Sequence, residues 1–232
     1  MTVYLLGDEP VFPPAEEADE DGLIAIGGDL SVPRLIQAYA SGIFPWFMQD
    51  QDIFWFSPDP RMVLYPQSLK VSKSLRRIIR SERFEIRTDT VFGEVIDACS
   101  AQLRPGQEGT WISRSFTAAY QELHRAGYAH SVETFRHGRL VGGLYGVSLG
   151  SAFFGESMFF HEKDASKVAL AGLASLCRNV GLRFIDCQVE NPHLISLGAE
   201  PMPRIKYLTL LEEVLENPTR RGKWPSESDV IS

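Results

Sequence analysis

Cysteine is scarce in this chain, three residues in 232, and none of Cys99, Cys177 and Cys187 forms a CxxC pair or joins a histidine at metal-ligand spacing. That excludes a disulfide framework and a thiolate metal centre. In their apolar segments the three are expected as reduced core residues of a cytoplasmic protein. The five histidines are scattered and show no ligand pattern. No apolar run approaches membrane-spanning length, and no basic start followed by an apolar stretch marks the N-terminus, so neither insertion nor export is expected. A surplus of positive charge is missing too. A net charge of −7 argues against indiscriminate nucleic-acid binding, while leaving room for a local basic face. A phosphate-cradling P-loop, a GxSxG nucleophile elbow and a cysteine flanked as a nucleophile are all absent.

What is present is an ordinary globular composition, long enough for one large domain or two unequal ones. Residues 1–62 are rich in proline and glycine and poor in long periodic segments. The acidic run Glu16–Asp21 reads as a solvated loop, and a short helix is expected near Pro33–Tyr39. The aromatic stretches Gly42–Phe47 and Phe54–Arg61 carry prolines and are expected as loops that plug a core or line a site. Beyond Arg61 the pattern becomes regular. Strands are expected near 62–65, 84–87, 131–135, 140–147, 152–156 and 183–189. Helices are expected near 73–81, 91–103, 116–126 and 165–180, the last capped by Asp164, then a short helix before Gly198 and a final strand and helix. This is a mixed α/β pattern with antiparallel hairpins in its middle.

The strand around Asp186 is the most informative element. Side chains alternate along a strand, so Asp186 and Gln188 share a face with Phe184, while Ile185, Cys187 and Val189 share the other. A carboxylate and an amide side by side can grip one polar substrate group. The alternative is a loop-capping Asp186 with Gln188 facing water. On the helix at 73–80, Lys73, Arg76, Arg77 and Arg80 fall on one stripe at i, i+3, i+4, i+7, opposite Leu75, Ile78 and Ile79. Such a row is either a solvated helix face or a surface for the phosphates of a folded nucleic acid. Trp46 and Trp111 stand in loop-like contexts, suited to stacking on a base or to packing one part of the chain on another. Leu144, Phe153 and Met158 form either a pocket for a large apolar group or plain core. Glu156 is a carboxylate in a dense apolar patch, costly to bury unless paired.

Taken in order, the segments Gly27–Leu30, Gly42–Phe47, Trp55–Arg61, Gly109–Ile112, His130–Glu133, Leu140–Gly146, Gly155–Phe159, Ala165–Lys167, Ile185–Val189 and Ser196–Ala199 resemble one family, the leucyl/phenylalanyl-tRNA–protein transferases. They run in register from about residue 22 to 208, nearly the whole chain. The resemblance implies an α+β protein: a small N-terminal domain over 1–62 and a larger N-acetyltransferase-like (GNAT-type) α/β domain with a mixed sheet over 63–232. It implies transfer of Leu or Phe, and Met less well, from aminoacyl-tRNA to the α-amino group of proteins beginning with Arg or Lys, which then enter N-end rule degradation. No metal or soluble cofactor is implied, and a cytoplasmic monomer is expected. Residue by residue, it implies Asp186, Gln188 and Glu156 at the reacting centre. Leu144, Phe153, Met158, Leu170 and Ile185 would line the aminoacyl side-chain pocket. Trp46 and Trp111 would surround the terminal adenosine of the tRNA, and Lys73, Arg76, Arg77 and Arg80 would meet the tRNA body. Leu144 stands where the family commonly has methionine, and Phe56 where it commonly has a second tryptophan; both stay apolar.

Three rivals fit less. An acetyl-CoA-dependent N-acetyltransferase needs a glycine-rich turn opening a helix, whereas His161–Ala165 is acidic and lacks glycine. A non-catalytic tRNA-binding protein would leave Asp186, Gln188 and Glu156 idle. A peptidoglycan-type transferase that also uses aminoacyl-tRNA is near in chemistry, but these motifs do not suggest it.

Overall fold

Pro45 has no N–H to donate to a ladder, so a strand that contains it belongs at a sheet edge. In the computed structural model, which describes residues 3–49, 52–102 and 113–225, it lies in such a strand. A first sheet is built from β1 (Tyr4–Leu6), β2 (Leu23–Gly27), β3 (Phe44–Gln49) and β4 (Asp52–Phe56) in the order β1-β2-β4-β3, with β3 outermost. The aromatic stretches expected as loops are therefore corrected in part: Phe44–Gln49 and Asp52–Phe56 are strands that pair with each other, with Pro45 at an edge, while Gly42, Ile43 and Ser57–Pro60 stay outside any strand. α1 (Val32–Ala40) lies between β2 and β3, with Pro33 in its first turn.

The second sheet has seven strands: β5 (Arg61–Leu64), β6 (Glu85–Thr88), β7 (Ala129–Arg136), β8 (Arg139–Leu149), β9 (Ala152–Phe160), β10 (Phe184–Gln188) and β11 (Glu200–Met202), in the order β11-β5-β10-β9-β8-β7-β6. All neighbours are antiparallel except β9 and β10, which are parallel, so the fold is α+β with a mixed sheet. A parallel pair needs a long crossover, supplied by α5 (Ala165–Val180). The other helices are α2 (Lys73–Arg80), α3 (Phe92–Ala101), α4 (Arg114–Arg125), α6 (Pro192–Ser196) and α7 (Arg204–Leu215). Among the described residues no helix is long and apolar enough to cross a membrane. The boundary expected after residue 62 falls inside β5, and β9 continues past 156 to Phe160. Asp164 occupies the N-cap position of α5 but makes no side-chain cap bond; at φ 70° its carboxylate instead accepts from Lys167 Nζ at 3.0 Å.

The seven-stranded sheet is buried on both faces, which is why β8 reads as a nearly continuous apolar run. One apolar cluster joins Phe154, Phe159 and Phe184 to Phe92, Phe116 and Tyr207, and it also holds Leu35, Tyr39 and Trp55 from the first sixty residues. The other joins Leu144, Phe153 and Ile185 to Leu75, Val168 and Leu173 under α5 and α2. Cys99 and Cys177 are buried and Cys187 half-buried, and none of the three is in a disulfide.

Two register shifts position the site. Between β8 and β9 the pairing jumps from Tyr145–Ser157 to Gly146–Gly155, leaving Glu156 as the extra residue of a bulge. This re-phases β9, so Phe153 and Met158, an odd number of residues apart, both meet the α5 cluster. Between β10 and β5 the register shifts between Asp186 and Gln188. The β9–β10 ladder itself spans three pairs only and stops at Phe154–Asp186.

The bulge depends on Gly146. A methyl group there would lie 2.1 Å from the Phe154 carbonyl oxygen and 2.6 Å from the Phe153 ring. Gly146→Ala is expected to lower stability by at least about 2 kcal/mol in urea unfolding, since backbone must move to admit it.

Candidate active site

Arg61 opens a strand whose four residues are all buried, so its guanidinium needs a buried anion. That anion is Asp186, with side-chain exposures of 1 % and 0 % for the two partners. Arg61 Nε donates to Asp186 Oδ1 at 2.9 Å and Nη2 to Oδ2 at 2.7 Å, a bidentate pair. Nη1 donates to the Gly42 carbonyl at 3.1 Å, and the guanidinium lies 4.7 Å from the Phe44 ring centre and 4.6 Å from that of Tyr207. Tyr207 Oη donates to Asp186 Oδ2 at 2.8 Å, and the Gln188 backbone N–H to Oδ1 at 2.8 Å. Each Asp186 oxygen thus accepts two hydrogen bonds, which fills its acceptor capacity. Burial alone would lower the Arg61 pKa, but the Asp186 charge beside it outweighs this and holds the cation.

The second carboxylate has a different environment. Glu156 Oε1 accepts from Tyr39 Oη at 2.7 Å and from Gln188 Nε2 at 2.8 Å, and Oε2 accepts from Tyr120 Oη at 2.9 Å. The two tyrosine hydroxyls also lie within hydrogen-bond reach of each other, a contact that either can donate only in place of its bond to Glu156. Among the described residues no cation pairs with Glu156. Burial pushes its pKa up to about 7; the three hydrogen bonds oppose that rise, and the Asp186 charge adds to it. Burial likewise raises Tyr39 and Tyr120 well above the usual phenol range, so both are hydroxyl donors near neutrality.

Gln188 couples the two acids: its backbone N–H holds Asp186 and its side chain holds Glu156. It does so at φ 63°, a left-handed conformation costly for a residue with a side chain. The bulge on β10 and this turn of the backbone bring its amide across to β9.

Leu144, Phe153, Leu170 and Ile185 are buried together in the α5 cluster, with half-buried Met158 packed against it. They occupy the sheet face opposite the acids. The two sets approach where the β9–β10 ladder ends. There Gly155 lets the backbones of β9 and β10 approach closely: a methyl group on it would lie 3.3 Å from the Asp186 carbonyl oxygen and 4.0 Å from Ile185 Cγ2. Trp46 lies in β3, half-buried, its ring 5.4 Å from Phe56 and 6.2 Å from Phe44, the ring beside Arg61. Trp111 lies outside the described residues. Lys73, Arg76, Arg77 and Arg80 are all exposed along α2, whose buried Leu75 belongs to the α5 cluster; they form a surface separate from the acids.

Arg61, Tyr39, Tyr120 and Tyr207 join the site without having been singled out in the sequence. Arg61 did leave a signal, a cation leading an otherwise apolar strand. The three tyrosines sit on helices where an aromatic reads as core.

A family model described as "Leucyl/phenylalanyl-tRNA protein transferase" matches residues 63–212, and a model of that family's N-terminal domain matches 28–59. Leucyl/phenylalanyl-tRNA–protein transferases of Myxococcus xanthus and Aromatoleum aromaticum are each 53 % identical to this chain, covering 97 % and 98 % of it and 97 % and 96 % of themselves. That of Nitratidesulfovibrio vulgaris is 50 % identical over 100 % of this chain and 99 % of its own. Among solved structures, L-PGS from Bacillus licheniformis is similar at 11 % identity and TM-score 0.37, over 73 % of this chain and 54 % of that one. A GCN5-related N-acetyltransferase from Kribbella flavida is similar at 12 % identity and TM-score 0.36, over 72 % and 60 %.

Two outcomes follow from the acid pair. Arg61→Met leaves Asp186 buried without its cation and is expected to cost about 3–5 kcal/mol in denaturant unfolding. For Glu156 the folded pKa lies above the unfolded one, so as pH rises from about 4.5 to about 7 the unfolded state sheds its proton first and stability falls. Glu156→Gln removes that loss. Its stability relative to the parent chain is expected to improve across this window, by about 3 kcal/mol in total, and to stay level above it.

Proposed function

The chain belongs to the leucyl/phenylalanyl-tRNA protein transferase family, and from that premise we propose that it moves Leu or Phe, and Met less well, from aminoacyl-tRNA to the α-amino group of proteins with N-terminal Arg or Lys, marking them for N-end rule degradation. In this reading it works as a cytoplasmic monomer. The observation that carries it is the end of the β9–β10 ladder, where a fixed amide and carboxylate stand on one side and a buried apolar cluster on the other, which we read as the side-chain recess.

The aminoacyl ester is already activated, so the protein's task is to place the amine, take its proton and stabilise the oxyanion. A peptide α-amine has an ordinary pKa near 8 and attacks as the neutral form. Glu156, raised to about 7 by burial and held by two hydroxyls and an amide, is matched to accept that proton near neutral pH. As the new C–N bond forms and the ester C–O bond breaks, the proton passes on to the ribose oxygen that leaves. Gln188 uses one N–H on Glu156; its amide nitrogen carries a second, suited to the developing oxyanion. Asp186, with its oxygens engaged, acts as the bracket that fixes Gln188 and Arg61. The side chain of the transferred residue lies against Leu144, Phe153, Met158, Leu170 and Ile185. Such a recess separates large from small apolar groups but Leu from Met only by about 1–3 kcal/mol. Trp46 and Trp111 stack on the terminal adenosine, and the α2 cations take phosphates of the tRNA body.

The deciding experiment is transfer of labelled Leu from charged tRNA to a peptide beginning with Arg, beside the same peptide beginning with Ala. Transfer to the Arg peptide alone is expected. Tight tRNA binding without transfer would make the protein a binding module instead. With the Arg peptide, Glu156→Gln is expected to lose about 10²–10⁴-fold in kcat while keeping its affinity for tRNA; an unchanged kcat would remove Glu156 from the proton path.

A further inference from the structure

Residues 219–225 form no helix or strand, yet they are pinned along their length. Gly150 N–H donates to Thr219 Oγ1 at 2.9 Å, Gly222 N–H to the Gly127 carbonyl at 3.1 Å, Trp224 N–H to Asp89 Oδ2 at 2.9 Å, and Thr88 Oγ1 to the Pro225 carbonyl at 2.7 Å. Asp89 is itself prepared for this. It stands at φ 54°, where its carboxylate also accepts from the Ser131 N–H and bonds His130 Nδ1, each at 2.9 Å. Ordering a strap of this length has an entropic cost, and what it brings into the protein is one large side chain. Trp224, 2 % exposed, enters the α5 cluster. Its ring stacks on His130 at 4.2 Å and meets Phe153 at 5.5 Å.

Phe153 is thereby held by two contacts. Gly146 leaves its ring no room, since even a methyl group there would come within 2.6 Å of it, and the Trp224 indole packs against it at 5.5 Å. A buried aromatic packed in this way cannot move to enlarge or shrink the space beside it.

We propose that Trp224, carried in by the strap, sets the depth of the aminoacyl side-chain recess by fixing Phe153, and thereby sets the preference among Leu, Met and Phe. This rests on the reading of the recess given above. Trp224 is a positioning residue: it acts through Phe153 and touches no reacting atom. Removing the indole lets Phe153 fall back, which deepens the recess and favours the longer Phe side chain over Leu.

The test is a ratio. Leu, Met and Phe are each esterified to one and the same tRNA, so that donors differ only in the side chain, and kcat/KM for transfer to an Arg-initiated peptide is measured. Trp224→Ala is expected to raise the Phe-to-Leu ratio about fivefold or more, and Trp224→Phe, which keeps a ring against Phe153, to stay within about twofold of the parent chain. A smaller folded fraction lowers all three rates equally, so a merely structural role leaves the ratio unmoved. An unchanged ratio in Trp224→Ala overturns the proposal; should that variant yield no folded protein, Trp224→Leu is judged by the same criterion. If the parent chain transfers none of the three, the reading of the recess itself is overturned, and this inference falls with it.

Discussion

The buried pair of Arg61 and Asp186 is the constraint on which the rest of the site depends. Two unit charges taken out of water cost several kcal/mol each unless every lone pair and proton finds a partner. Here the partners come from distant parts of the chain: a carbonyl at Gly42, rings at Phe44 and Tyr207, a hydroxyl from α7 and a backbone N–H from Gln188. Satisfying one guanidinium and one carboxylate therefore fixes β5, β10, α7 and the turn after α1 relative to one another. The first sixty residues and the seven-stranded sheet are tied at the same point.

From that anchor the placement of Gln188 and Glu156 follows. The Gln188 backbone is held by Asp186 and its side chain reaches β9, where the bulge aims Glu156 at it and re-phases the strand. The same bulge turns Met158 toward the apolar face that Phe153 already occupies. One irregularity thus assigns the acid to one face and the apolar cluster to the other, and the β9–β10 ladder between them ends after three pairs.

The two carboxylates illustrate how environment divides roles. Asp186 is saturated by a bidentate cation, one hydroxyl and one backbone N–H and is committed to holding structure. Among the described residues Glu156 has only neutral donors, so burial is incompletely offset and its proton is exchangeable near pH 7. Pairs of acids pushed apart in this way are how one fold supplies both a fixed charge and a proton carrier.

By itself the sequence determined a good deal. Period and capping residues marked nearly every element after Arg61, because the apolar face of a helix and the alternation of a strand are written locally. The stripe of cations on α2 was legible for the same reason; strict alternation past Asp186 was not, since the register shift and the left-handed Gln188 place Val189 against the opposite cluster from Ile185 and Cys187. The resemblance across ten ordered segments carried the family. Tertiary structure alone decided the rest. It made strands of parts of two aromatic stretches whose prolines argue for loops, because only the sheet reveals that Pro45 is at an edge. It gave Glu156 its neighbours Tyr39 and Tyr120, which are 117 and 36 residues away, and gave Asp186 an arginine 125 residues distant. It moved Trp224 from an unremarked tail into the core beside Phe153. Local pattern encodes which face of an element is apolar. Which charge meets which, and which carboxylate keeps its proton, depends on contacts between segments that only the folded chain brings together.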